Sequence, residues 1–309
     1  MATTSGTESF NLELTDLVEE AFERCGLEMR SGYDLRTARR SLNLLTIEWA
    51  NRGINLWTVE QGQIVMNTGQ AIYPIPVDTI DLLDTVVRNN NGQGTNQIDI
   101  NISRISESTY ITIPNKNAVG RPIQVWINRQ SGQIPTIPQA TLNGAISSTD
   151  TTITLNDVYQ LPTQGFVNIG TETIGYQNIV GNQIINAWRA QNNTVAASHA
   201  NAAQVFVNNL PSINVWPTPN DPGNQYTFVY YRMRRIQDAG GGVNVADIPF
   251  RLIPCMVAGL AHMISMKTPG ADPNRVQMLK MDYEQQWQLA ADEDREKAPA
   301  RYVPRQLFY

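Results

Sequence analysis

Apolar residues recur at helical spacing near the two ends of the chain and nowhere between. From Leu12 to Cys25 the positions Leu14, Leu17, Val18, Ala21, Phe22 and Cys25 predict an amphipathic helix, with Gly26 as its C-terminal stop. A second helix is expected from Asp34, a candidate N-cap, to Asn51, because Leu35, Ala38, Leu42, Leu45 and Trp49 form one apolar seam; Gly53 ends it. At the far end, Pro249 opens a helix to about Lys267 that carries Leu252, Met256, Leu260, Met263 and Ile264 on one face. Thr268 to Ala271 breaks it. Asp272 then caps a last helix with Pro273 at its first position and Val276, Leu279, Tyr283, Gln286 or Trp287, and Ala290 inward.

Between these ends the period shortens to two. Gln63–Met66, Ala71–Ile75, Leu82–Arg88, Tyr110–Ile113, Pro122–Asn128, Ile213–Trp216 and Tyr226–Arg234 read as strands bounded by turn residues. Residues 137–209 differ again, being rich in Thr, Ile, Asn, Gln, Gly and Ala, with short strands such as Gly165–Ile169 and Glu172–Gln177. Linker-like segments flank that stretch, and strand patterning resumes after it, as expected for a small module inserted at a loop. An amphipathic helix needs an apolar partner, so the end helices are expected to meet. The expected class is α+β. A helical bundle is expected from both termini (1–60 with 246–297), with a central antiparallel β-domain (61–136 with 210–245) looped out between them. A small all-β domain is inserted at 137–209, and 298–309 is an extended C-terminal tail.

Charge sharpens this division. The chain has 309 residues, 23 Lys+Arg and 28 Asp+Glu, a net charge of -5. Its 29 Asn and 22 Gln equal the charged residues in number, yet 41 of these amides lie in residues 61–245, where only 19 charges fall. Amides with few charges suit turn-rich β-structure, and charged ends suit solvated helix faces. The acidic balance argues against holding nucleic acid by backbone neutralisation. No run reaches the length of a transmembrane helix and the N-terminus lacks a secretory pattern, so no membrane anchor is expected.

Candidate chemistry is sparse. Cys25 and Cys255 sit among helical apolar residues and read as core. His199 reads as a loop residue and His262 as a packed helix residue; no spacing suggests a metal site, and no cofactor is expected. The triple glycine 240–242 follows no phosphate-binding pattern and reads as a hinge-like loop. A glycosidase needs only two carboxylates, and Asp81 with Asp84, or the run Asp292-Glu293-Asp294, was the available material; neither spacing predicts a sugar cleft. No catalytic residue is assigned, and the chain is read as not an enzyme. Arg36, Arg39 and Arg40 lie largely off the apolar seam of their helix, as a solvated face or a basic face toward a partner. Arg232, Arg234 and Arg235, beside Tyr230 and Tyr231, suit a single-stranded nucleic acid, a sheet edge or a subunit interface. The tail carries Arg301, Tyr302, Val303, Pro304, Arg305, Leu307, Phe308 and Tyr309, too short for a core and too aromatic for an idle segment. It packs back on its own chain or docks on a partner.

Leu12–Glu60, ending in EWANRGINLW, resembles the N-terminal helices of tailed-phage head-to-tail adaptors, the tail accessory factors of short-tailed phages. ISESTYITIPNKN (105–117), GRPIQVWINRQ (120–130), INVWPTPN (213–220), FVYYRMRRIQD (228–238), residues 247–261 and AADEDREKAPARYVP (290–304) are similar to proteins of this type. The resemblance implies a structural virion protein made in the host cytoplasm and placed at the head–tail junction. It would form a homo-oligomeric ring, usually of twelve, through which DNA passes without sequence-specific binding. Its partners would be the portal protein, reached by the tail 298–309, and a tail nozzle or tail tube protein. Residues 141–207, including GTETIGY (170–176), resemble small β-modules of other phage tail proteins; such a module would contact tail fibres or the nozzle, or decorate the outside of the ring. The alternative is a carbohydrate-binding or cell-wall-hydrolysing phage tail protein.

Overall fold

A computed structural model describes residues 4–7, 10–30, 32–220 and 226–295. Five α-helices occur among them: α1 (Leu14–Cys25), α2 (Gly32–Arg52), α3 (Glu107–Ile111), α4 (Ile253–Lys267) and α5 (Pro273–Glu293). The fold is mixed α+β, with more strands than helices. It divides into two compact units, one from residues 1–59 with 235–309 and one from residues 60–234.

In the first unit, α1, α2, α4 and α5 contribute to one apolar core. The seams of α1 and α2 point inward: Leu14, Leu17, Val18, Ala21, Ala38, Leu42, Leu45 and Trp49 are all buried. Gly26 ends α1 in the left-handed conformation, φ 73°, and its N–H reaches Glu23 O. α4 is buried nearly all round, the pattern of a central helix. Gly259 allows its close approach, since a Cβ there would lie 2.9 Å from Tyr283 and 3.0 Å from Leu45. Asp272 caps α5 by accepting from Asn274 N at 3.0 Å, with Pro273 next to it. Polar contacts join the two chain ends inside this core. Trp49 Nε1 donates to Tyr283 Oη at 3.2 Å, and Asp294 Oδ2 accepts from Asn55 N at 2.7 Å. The Arg52 guanidinium lies 4.6 Å from the Trp287 ring centre and 2.9 Å from Glu284.

Two expectations of local structure change. α2 begins at Gly32, so Asp34 falls inside its first turn and its carboxylate accepts from Arg30 N at 3.2 Å. The glycine loop does more than hinge. Gly242 O accepts from Thr15 N at 3.1 Å and Asn244 O from Leu14 N at 2.8 Å, so the loop satisfies two of the open amides of α1, whose Glu13 gives no side-chain cap.

In the second unit, Val59–Val65, Tyr226–Arg234, Thr79–Asn89 and Ile98–Asn101 form one four-stranded sheet in that order. Ile72–Pro74, Ser212–Trp216, Gln124–Asn128 and Ser103–Ile105 form another. Most of these pairings are antiparallel; Ser103–Ile105 runs parallel to Gln124–Asn128. The two sheets share a core that includes Met66, Tyr73, Leu82, Val125, Ile213, Val215 and Phe228. Of the residues expected as a strand at Tyr110–Ile113, Tyr110 and Ile111 instead form the end of the short helix α3, which the Ser106 side chain caps by accepting from Thr109 N. Residues 140–207 have their own core around Leu142, Ile153, Val167, Ile174, Tyr176 and Val205. A smaller cluster, Ala71, Ile72, Phe166 and Leu210, joins that core's sheet to the strand at Ile72.

Candidate functional site

Successive residues of a strand face opposite sides, so the sheet that buries Val125, Ile213 and Val215 presents Trp126, Asn128, Ser212 and Asn214 on its other face. That face, α3 and the segment around Gln164 enclose a cleft of about 300 Å³. Its wall carries Tyr110 stacked on Trp126, ring centres 5.0 Å apart at 27°, with Lys116 Nζ 5.5 Å from the Tyr110 ring centre. Gln164 Nε2 donates to Asn214 Oδ1 at 3.1 Å. Asn208 Nδ2 donates to Asn168 at 2.8 Å, while its own Oδ1 is buried with no partner. Burial pushes the Tyr110 hydroxyl up, against a hydrogen bond to Gln164. The lining is largely aromatic and amide, with Glu107 and Lys116 also on it, suited to a polar ligand.

The buried charge of the chain lies elsewhere. Glu172 is fully buried and its carboxylate accepts from Arg189 Nε and Nη2 at 2.7 Å each, and from Ala190 N and Ala197 N at 3.2 and 3.1 Å. His199 Nε2 lies 2.8 Å away. Arg189 also donates to Ser147 O, Asp150 O and Ala197 O. Burial raises the Glu172 carboxyl, but the bonds from Arg189, His199 and the two amides outweigh it and hold the group at about 2. Such a satisfied network fixes three loops and leaves its carboxylate ionised. His199 thus belongs to a buried cluster that reading it as a loop residue missed.

On the helical unit, Arg36, Arg39 and Arg40 are exposed along α2, and Arg39 Nη2 reaches Ala239 O at 3.3 Å. Leu44 and Ile47 continue that outward face at 53% and 52% exposure. Opposite in charge, Asp16, Glu19 and Glu23 are exposed on α1.

The sequence profile of the SU10 adaptor protein family matches residues 117–305, more than half of the chain. The chain belongs to this family. No curated protein matches it. The SU10 adaptor family is a phage adaptor-type family of structural proteins rather than of enzymes, and the matched stretch contains α4, α5 and the amide-lined cleft's Trp126, Gln164 and Asn214.

Within this SU10 adaptor two of the three arginines singled out at the long strand pair with carboxylates of the chain itself. Arg232 lies between Glu60, at 2.9 Å, and Asp78, at 2.5 Å, and Arg234 Nε lies 2.6 Å from Glu60. Arg235 is exposed. Tyr230 is buried and Tyr231 is not, so the basic and aromatic residues do not form one open strip for a single strand. Most of the carboxylates considered for hydrolysis are likewise engaged. Asp81 meets Arg104 at 2.9 Å and Arg129 at 3.3 Å, Asp292 pairs with Arg295, and Asp294 holds the amides of Asn55 and Leu56; Asp84 is exposed.

Cys255 is buried and burial pushes its thiol up to about 12, while Cys25 Sγ donates to Ala261 O at 3.1 Å. His262 is half-buried against Tyr283, and burial, then Lys280, lowers its pKa. Among the described residues no three His, Cys, Asp or Glu side chains gather to hold a metal, and no helix is long and apolar enough to cross a membrane. The tail residues Arg301, Tyr302, Val303, Pro304, Arg305, Leu307, Phe308 and Tyr309 lie outside the described residues.

Proposed function

We propose that this adaptor is a structural component of a phage virion at the head–tail junction, where copies form a ring between the portal and the tail. The observation that carries this reading is the family match over 117–305. A helical bundle drawn from both chain ends would face the portal, and 298–309 would reach it, its aromatic side chains offsetting the entropy of ordering. The distal face would meet a nozzle or tail tube protein, and 137–209 a tail fibre. A net charge of -5 suits a bore that lets DNA pass without gripping it. Deleting 298–309 is expected to abolish co-purification with portal while leaving the thermal melt unchanged. Normal portal binding by the truncated chain removes the tail assignment. Imaging of the assembled particle, with ring order and neighbours resolved, tests the placement.

The cleft beside Trp126 favours one second reading, a glycan-binding tail protein, since aromatic faces and amides together suit sugar rings and hydroxyls. Titration with host cell-wall saccharides tests it: binding lost in Trp126→Ala supports that reading, and no binding dismisses it.

A further inference from the structure

Two faces of the helical unit carry opposite charge and similar spacing. Asp16, Glu19 and Glu23 recur at three and four residues, along one side of α1. They line a groove of about 430 Å³ with Phe10 and, at the start of α4, Ile253 and Pro254. Phe10 is 74% exposed there. On α2, Tyr33, Arg36, Arg40, Leu44 and Ile47 also recur at three and four residues, all of them exposed. Among the described residues, Asp16, Glu19, Glu23, Arg36 and Arg40 have no ion-pair partner in the chain. Like charges repeated at this spacing repel, so each row gains from a partner of opposite sign.

Read in opposite directions, the two rows match in order. Arg36 and Arg40 are about 6 Å apart along the helix axis, as are Glu23 and Glu19. Leu44 and Ile47 follow about 12 to 17 Å from Arg36. Over a comparable distance from Glu23, α1 reaches its first residue, Leu14, and Phe10 lies just beyond. Charge therefore meets opposite charge at one end and Phe10 meets Ile47 at the other, while Asp16, about 10 Å from Glu23, falls level with Leu44 between them. Exposed ion pairs alone hold little, and the burial of Phe10, Leu44 and Ile47 would supply the apolar part of the contact.

We infer that the α1 groove of one copy receives the outward face of α2 from the next copy, antiparallel, with Glu23 and Glu19 against Arg36 and Arg40. The two faces lie on different helices, so the contact can repeat head-to-tail from copy to copy, which closes into a ring where the rotation allows; the same pair of faces made twice about a two-fold axis would give a dimer instead, and a wild-type dimer overturns the head-to-tail arrangement. This rests on the ring-forming reading above and deepens it by naming the surfaces.

The test measures the mass of the full chain against concentration in about 0.1 M salt. Glu19→Arg with Glu23→Arg, or Arg36→Glu with Arg40→Glu, is expected to raise the half-assembly concentration more than about a hundredfold. Mixing the two charge-reversed proteins is expected to restore assembly, because each then offers the face that the other lacks. Circular dichroism melts establish that both are folded. If a reversal unfolds the chain, the corresponding Gln pair replaces it and is expected to weaken assembly about tenfold. A wild-type oligomer unaffected by either reversal, or two variants that fail to complement, overturns this interface and leaves the ring reading intact. A wild-type chain that stays monomeric at every concentration overturns the ring reading itself. Loss of binding to a short DNA duplex on α2 reversal, with assembly unchanged, assigns the basic face to DNA instead and overturns the proposal.

Discussion

Removing the Glu172 charge tests whether that buried network holds the 140–207 module together. Glu172→Gln keeps the shape but leaves the Arg189 guanidinium, 8% exposed, without its counter-charge. Breaking a buried pair in this way costs about 3–5 kcal/mol. The pH dependence follows from the same group. Its carboxyl sits at about 2 in the fold and near 4.5 when unfolded, so it stabilises the fold fully above pH 4.5 and loses that contribution as pH falls toward 2. The difference corresponds to about 3 kcal/mol. Amide hydrogen exchange followed by mass spectrometry reads this module separately from the helical unit. Exchange across 188–199, where the Ala190 and Ala197 amides bind Glu172, is expected to speed up by at least a hundredfold in Glu172→Gln at pH 7. After correction for intrinsic exchange, wild-type protection is expected to fall between pH 4.5 and 2 and the variant's to be nearly flat. Equal protection in the two proteins at pH 7, with the same decline on acidification, would refute the argument.

Two further outcomes concern the helical unit. Gly259→Ala places a methyl group 2.9 Å from Tyr283 and 3.0 Å from Leu45, and a thermal melt is expected to show a loss of about 1–3 kcal/mol. Cys255, with its thiol pushed up to about 12 and its side chain buried, is expected to resist a thiol reagent at pH 8 until denaturant is added; prompt labelling of the native chain at that position contradicts the packing described.

Signals confined to a few neighbouring residues were legible in the sequence. The ends of α1 at Gly26 and of α5 at Asp272-Pro273 follow from cap chemistry that works over one turn. Ser106 offers the same kind of cap signal for α3, and reading Tyr110–Ile113 as a strand passed over it. What escaped was long-range. Both the amide and the hydroxyl of Thr15, at the start of α1, are satisfied by Gly242, 227 residues away. Arg232 finds Glu60 at a separation of 172 residues, which no local pattern encodes. The Glu172 cluster left a faint trace: residues 137–209 carry only Asp150, Asp157, Glu172 and Arg189, so their lone cation had few places to go. For the docking faces, the arginine row of α2 was visible as a row, whereas the groove on α1 needed α4 folded beside it.

Because one core draws on both ends of the chain, synthesis separates its halves in time. α2 is finished at Arg52 and α4 begins at Ile253, so about 200 residues must be made between them. At about 5–20 residues per second the ribosome needs roughly 10–40 s for that interval. For that time Leu14, Leu17, Leu42 and Trp49 lack the helix that covers them. The β-unit, complete at Arg234, can fold first, and the nascent N-terminal helices are the part of the chain exposed to chaperones or to premature association with other copies.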